Sequence, residues 1–388
     1  MISDTHDELT FSVSTLGEVE ASWRDAGPRL TTATPQDLDF VLGWQKHVNA
    51  DCIAVVGAAV QTGLVDFVLP LEIIRKNLLT LARFPGGSHA NSNFAASGTI
   101  AAQMRPERLT AAISKAVSLA RPDIDAIMLE RQLERLDKIT NRLILPQSGT
   151  SPNVALSFAF LPTFQELLKV RNGPKKLKKM RQMHRRMEER GGYRQFKAQS
   201  RAECQRVLER FFQLKGERLK SRGLNDVFGD EEVQAFFKAL FCDAVTLPSP
   251  RFELHALEVG GEIAAVAGCS IHGKHVTVEF GGICSTDHQL SPGDILFHFM
   301  IEQYFDRGFE IFDFGVGDEF YKRRWCDIET WHRDTFLALS AKGRVATSAM
   351  RAVAGAKKSI KSNPMLFNLL KKLRSLRRTE PGKSSDDS

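Results

Sequence analysis

Asp313, Asp318, Glu319, Tyr321 and Lys322 fall within ten positions of one another, behind the apolar run Glu310–Phe314 and around Gly315 and Gly317. Carboxylates, a phenol and an amine gathered at a strand end are the groups that proton transfer needs. Asp313 is the candidate base, because burial at the end of an apolar strand raises a carboxyl pKa toward neutrality. Tyr321 is the candidate acid toward a leaving group. Lys322 suits an acceptor's phosphate or carboxylate, with Glu319 beside it. Each has a plainer role open to it: Asp313 can cap its glycine turn, and Tyr321 can pack. Glu279, on the preceding strand Lys274–Cys284, is a second candidate base, acting through a water, or else a solvated strand residue.

A second feature lies between these strands. The loop Gln289-Leu290-Ser291-Pro292-Gly293-Asp294 runs straight into the helix Asp294–Arg307, which Gly308 stops. A helix N-terminus presents unpaired N–H groups and a partial positive charge, so it suits a phosphate or pyrophosphate. Pro292 costs little at the first turn, where its missing N–H would be unpaired anyway. Asp294 is acidic where a phosphate would sit, or it caps the helix. An anion cradle beside titratable groups points to a transferase with a phosphate-bearing donor.

The elements that position these groups read as α/β. In the first half, Asp37–Asn49 is a helix, and Cys52–Gln61 and Leu64–Leu71 form a hairpin across Thr62-Gly63. Leu78–Phe84 is a strand that enters the polar loop Pro85–Asn93, which carries His89. Pro106–Leu119 is a helix; Ile124–Leu129 and Asn153–Phe160 are strands. The second half repeats this order: strand Tyr193–Ala198, helices Ala202–Arg222 and Glu231–Ala244, the hairpin Phe252–Val259 and Glu262–Ile271, the strand–helix–strand unit, and a closing strand Thr335–Ser340. The expected divisions are 1–34 as a lead-in, 35–165 and 193–345 as two domains, 166–192 as a basic linker helix, and 346–388 as a basic amphipathic tail.

Composition bounds the class. Of 388 residues, 43% are apolar and 26% charged, as in water-soluble globular proteins. Six scattered cysteines without a C-x-x-C pair give neither a zinc framework nor a disulfide scaffold, and no histidine–carboxylate set predicts a metal. The start, Met1-Ile-Ser-Asp, lacks the apolar stretch of a signal peptide, which implies a cytoplasmic protein. Segments 169–190 and 357–378 each carry a net of +8; against +7 for the chain, this leaves −9 for the rest. The basicity is local, which argues against a general nucleic-acid coat.

The runs Phe252-x-Leu254-x-Ala-Leu257-x-Val259-x-Gly261-x-Ile263-Ala264-Ala265, Ser291-Pro292-Gly293-x-x-Leu296 and Asp313-Phe314-Gly315-x-Gly317-x-Glu319-x-Tyr321-Lys322-x-x-Trp325 resemble the GCN5-related N-acetyltransferase (GNAT) fold. Within it they resemble the CelD/BcsL-like acetyltransferases, a group named for cellulose biosynthesis. Lys215-x-x-Arg218-x-x-x-Arg222-Gly223 fits the helix before the hairpin in that group. The paired halves are more distantly similar to the Fem aminoacyl transferases. The resemblance implies a tandem GNAT fold with mixed twisted sheets and flanking helices. It also implies acetyl-CoA or another acyl-CoA as co-substrate, its pyrophosphate on Gln289, Leu290, Ser291, Pro292, Gly293 and Asp294. His89, Arg218, Glu319, Lys322 and Trp325 are then the candidate acceptor-binding residues.

The resulting expectation is an N- or O-acyltransferase acting on a sugar or other small acceptor in exopolysaccharide or envelope synthesis. A Fem-like aminoacyl transferase, with tRNA on the basic segment, is the alternative, as is a non-catalytic GNAT-fold module of a polysaccharide-synthesis complex. Met365–Arg378 reads as a basic amphipathic helix suited to an anionic membrane at its inner face, or to docking on the protein itself.

Overall fold

The computed structural model describes residues 8–171, 173–284 and 290–362. The first half runs β1 (Leu9–Thr15), α1 (Leu16–Ala26), α2 (Leu38–His47), β2 (Cys52–Ala59), β3 (Val65–Lys76), β4 (Leu79–Arg83), β5 (Ala96–Ser97), α3 (Thr99–Gln103), α4 (Pro106–Ala120) and β6 (Ala126–Gln132). A small hairpin follows, β7 (Arg135–Leu136) and β8 (Ile139–Thr140), and then β9 (Gly149–Ala159). Helices α5 (Phe164–Val170) and α6 (Gly173–Glu188) lead to the second half. That half comprises β10 (Tyr193–Lys197), α7 (Arg201–Ser221), α8 (Glu231–Ala244), β11 (Phe252–Val259), β12 (Glu262–His272), β13 (His275–Ile283), α9 (Pro292–Asp306), β14 (Ile311–Val316), α10 (Phe320–Arg323), β15 (Ile328–Ala338) and α11 (Ala341–Ser362).

Residues 9–26, expected as part of a lead-in, are ordered elements. Leu9, Phe11 and Val13 alternate along β1, which pairs antiparallel with β2. Thr15 and Glu18 close a capping box that starts α1, and Leu16, Val19 and Trp23 of that helix are buried.

One 13-stranded sheet joins both halves, in the order β1-β2-β3-β4-β6-β15-β9-β14-β13-β12-β11-β10, with β5 beside β3. The closing strand of the second half therefore leaves its own half. β15 lies between β6 and β9, antiparallel to both, while β9 of the first half pairs with β14. Each half has one parallel pair, β4 with β6 and β13 with β14. The halves also share apolar packing. Phe40 and Trp44 of α2 meet the Phe236 ring of α8 edge-on, at 4.9 and 5.0 Å between centroids. At the far end, α11 lies on β9 and β15, where Arg351 donates to the Phe336 carbonyl at 2.7 Å. The expected amphipathic helix Met365–Arg378 lies outside the described residues.

Candidate active site

The site begins where a strand pair ends. β13 and β14 pair in parallel as far as Thr277 and Asp313, then part. Gly315 enforces the parting. Its φ is +69°, open mainly to glycine, and a Cβ there would lie 2.8 Å from the Val278 carbonyl oxygen. Beyond it, the split opens into a cavity of about 510 Å³ walled by β13, β14, α7, the start of α9 and the turn around α10.

One side of this cavity is built for an anion. Ser291, Pro292, Gly293 and Asp294 form its rim at the N-terminus of α9. Ser291 holds a left-handed φ of +43°, a strained setting for a residue before proline. A Cβ on Gly293 would come 3.0 Å from Ile283 Cγ2, so helix and strand approach closely only through glycine. Asp294, the acid that would oppose a phosphate, is neutralised: Lys179 of α6 donates to it at 2.9 Å and Arg324 at 2.6 Å. Facing this rim are Lys215 and Arg218 of α7 and Arg222 just past its end. Burial first, then the Arg222 charge, lowers the pKa of Arg218; burial and Arg218 lower that of Lys215. Among the described residues, none of the three has a carboxylate within ion-pair distance. Lys215 and Arg218 are half-buried and Arg222 is exposed at the cavity mouth; cations gathered in this way are stabilised by any anion that enters.

The other side carries proton-transfer groups. Both oxygens of Glu279 are held, one by the Ser270 hydroxyl at 2.5 Å and the other by the Asn91 amide at 2.8 Å. Burial raises the Glu279 pKa and the Asp313 charge adds to this, while the two hydrogen bonds oppose it. Tyr321 lines the same cavity and stacks on Phe297, with ring centroids 5.5 Å apart. Burial and the Glu319 carboxylate push its pKa well up, so the phenol stays protonated at neutral pH. Lys322 is buried with its ammonium spent on the carbonyls of Gly315 and Val316, at 3.3 and 3.0 Å, and on Glu319 at 3.0 Å. It holds the turn after β14 together, in place of the expected acceptor contact.

Three further expectations are corrected by position. Phe312 and Phe314 of β14 face the core, so Asp313 points to the opposite face by strand alternation. There it caps its own turn, accepting from the Gly315 N–H at 2.7 Å, 3.5 Å from His275, and it does not line the cavity. Trp325 is buried and stacks on Phe158 at 6.1 Å, which makes it a core residue. The His89 ring packs against Trp44, Phe228 and Phe237, away from the cavity lining. Leu290 is buried in the core beneath the rim, and Gln289 lies outside the described residues. Arg218 and Glu319 do line the cavity. Three charged or amide side chains in the lining were absent from the expected set: Lys215, Arg222 and Asn91. The spacing Lys215/Arg218/Arg222 on one face of a helix signals the first two, whereas nothing local marks Asn91.

The matching split in the first half is filled. Asn93 donates to the Glu130 carbonyl at 2.7 Å and accepts from Gln36 at 2.5 Å. Arg131, at φ +52°, turns back to the carbonyls of Ser88 and Ala90. A hydrogen-bonded polar plug thus stands where the second half has a cavity.

Sequence and structural comparisons agree with this geometry. Residues 174–323 match the family model of the acetyltransferase (GNAT) domain. No curated protein matches the chain in sequence. FemX has a similar structure, with 11% identity and a TM-score of 0.56, covering 88% of this chain and 99% of that one. A C-terminal domain (DUF2156) of a putative lysylphosphatidylglycerol synthetase from Agrobacterium fabrum is similar at 12% identity and TM-score 0.49, covering 87% and 97%. A tandem GNAT protein from the clavulanic acid biosynthesis pathway is similar at 10% identity and TM-score 0.45, covering 86% and 99%. At these identities the likeness is one of fold. The fold is the mixed α/β fold of GNAT domains, and one sheet runs through both halves of the chain. No helix among the described residues is long and apolar enough to cross a membrane.

Proposed function

We propose that the cavity between β13 and β14 transfers an acyl group from a phosphate-bearing donor, acetyl-CoA or another acyl-CoA, to an amine or hydroxyl. One arrangement carries this reading: the α9 N-terminus and the cations Lys215, Arg218 and Arg222 border a cavity that also holds Glu279 and Tyr321. The donor's pyrophosphate rests on Ser291–Asp294 opposite Lys215, Arg218 and Arg222. Its acyl carbonyl reaches the split. Glu279 takes the proton of the acceptor as that atom attacks the carbonyl carbon; the carbon–sulfur bond breaks, and the thiolate takes the Tyr321 proton. The acceptor is a sugar or similar small molecule of exopolysaccharide or envelope synthesis, on the strength of the sequence resemblance, and the basic segment 357–378 would hold the enzyme near an anionic membrane.

Titration calorimetry with acetyl-CoA, then with an acyl-chain series, tests the donor. Glu279→Gln and Tyr321→Phe are each expected to lose ~10²-fold or more in turnover, the scale of general acid–base catalysis. Near-full turnover in both would remove the two residues from the mechanism.

One observation favours a second reading, aminoacyl transfer from tRNA. Lys178, Lys179, Arg181 and Arg185 are exposed along α6, and Lys179 reaches Asp294 at the cavity rim. A polyanion longer than CoA would meet that row. Competition between acetyl-CoA and aminoacyl-tRNA at one salt concentration separates the two donors.

A further inference from the structure

Asn91 belongs to the first half, on the loop after β4, yet its side chain is bonded entirely within the second. The amide nitrogen donates to Glu279 Oε2 at 2.8 Å, to the Glu279 carbonyl at 3.1 Å and to the Val278 carbonyl at 3.4 Å. The amide oxygen accepts from the Val316 N–H at 3.2 Å. Val278 and Glu279 lie on β13 and Val316 on β14, just past the point where those strands cease to pair. One side chain therefore spans the split and satisfies backbone groups that the parted strands leave open. Its loop is itself fastened. Arg131 donates to the carbonyls of Ser88 and Ala90, at 3.2 and 2.8 Å, and the Asn93 N–H bonds to the Arg131 carbonyl at 2.8 Å. Gly315 is shaped around Asn91 as well, since a Cβ there would lie 3.0 Å from the Asn91 amide.

We infer that Asn91 is a positioning residue for the Glu279 carboxylate and a clasp across the split, so that the plugged first half supplies part of the second half's site. The inference rests on the role proposed for Glu279. Ser270 orients one carboxylate oxygen and Asn91 the other, which fixes the direction in which the free lone pairs face the cavity. Asn91 also favours the charged form of Glu279, because a donated hydrogen bond stabilises a carboxylate. The other charged groups around Glu279 are Asp313 on β14 and, across the cavity, Lys215, Arg218, Arg222, Asp294, Glu319 and Lys322. None of these is altered by changing Asn91.

The test is a carboxyl-carbon NMR titration of the full chain, with the Glu279 resonance assigned by its loss in Glu279→Gln. In Asn91→Ala the Glu279 midpoint is expected to move to higher pH by ~0.5–1, the weight of one lost hydrogen bond. In Asn91→Asp, which keeps the shape but adds a like charge, it is expected to move further the same way. If Asn91→Ala fails to fold, the isosteric Asn91→Asp alone decides. An unchanged Glu279 midpoint in a folded variant would overturn the inference. The titration needs no substrate, so it stands apart from the donor reading: acetyl-CoA that fails to bind the wild-type chain would sink the donor, and the midpoint would still judge Asn91. Where turnover is measurable, Asn91→Ala is expected to lower kcat with little change in donor KM and to carry the acid limb of the pH profile upward. A fall confined to KM would count against positioning.

Discussion

Asp294 shows how a residue's meaning depends on its partners. As sequence it is an acid at the mouth of an anion site; in the fold, Lys179 and Arg324 cancel it and leave Lys215, Arg218 and Arg222 to set the field. Arg218→Gln should therefore weaken acetyl-CoA binding by ~10-fold or more, the weight of one charge-assisted hydrogen bond, and flatten its salt dependence. Calorimetry at two ionic strengths measures both, with Lys197→Gln, outside the cavity, as control. Asp313 was legible in principle. Its neighbours Phe312 and Phe314 announce the inward face of β14, so strand alternation already directs Asp313 outward. Asn91 was not legible, because a polar loop residue gives no sign of which distant strand it will bond. Two histidines, His332 buried and His89 half-buried, yield a test of stability. Burial lowers both His89 and His332 from 6.5 to about 4, so each is neutral in the fold and charged in the unfolded chain between those values. Their share of stability is present above pH 6.5 and is lost as pH falls toward 4. Thermal midpoints are expected to drop across that window, and His89→Phe, which suits the surrounding rings, should shallow the slope.

At the scale of elements, periodicity and punctuation located most strands and helices. Glu231–Ala244 matches α8, and Gly223, Gly260-Gly261, Gly273 and Gly308 mark the ends expected of them. The strand–helix–strand unit β13–α9–β14 and its cradle were readable because Ser-Pro-Gly before a helix and glycine after a strand have local physical causes. β1 and α1 were missed although Leu9, Phe11 and Val13 alternate and Thr15 and Glu18 stand at capping-box spacing. Two glycines separate conformational need from close approach. Gly273 has φ +55° with open space at its Cβ position, whereas Gly315 has φ +69° and the Val278 carbonyl at 2.8 Å. Gly273→Ala should cost about 1 kcal/mol, and Gly315→Ala roughly 2–3 kcal/mol, since the clash adds to the backbone strain. Urea denaturation of the two variants compares them directly.

For the whole molecule, the shared sheet decides what can stand alone. A cut near residue 165 leaves β9 without β14 and β15, and leaves β15 without β6 and β9. No sequence period records which strand lies beside which, so an exchange between halves was beyond reading from local pattern. Residues 1–165 and 166–388 made as separate chains are expected to fold poorly apart and to recover native circular dichroism when coexpressed. The intact chain should unfold in one cooperative step, with tryptophan fluorescence and far-ultraviolet dichroism coinciding. Two separated transitions would show that the halves are independent after all. The exchanged strands also set an order in time. During synthesis β6 and β9 leave the ribosome long before β15, which ends at Ala338 and must enter between them. At about 5–20 residues per second, roughly ten seconds to half a minute passes in which the nascent first half has an unfilled slot at its centre. Open strand edges of that kind recruit other chains. This protein should therefore depend on chaperones that shield nascent chains, and slowing translation before residue 328 should raise aggregation more than slowing it after residue 338.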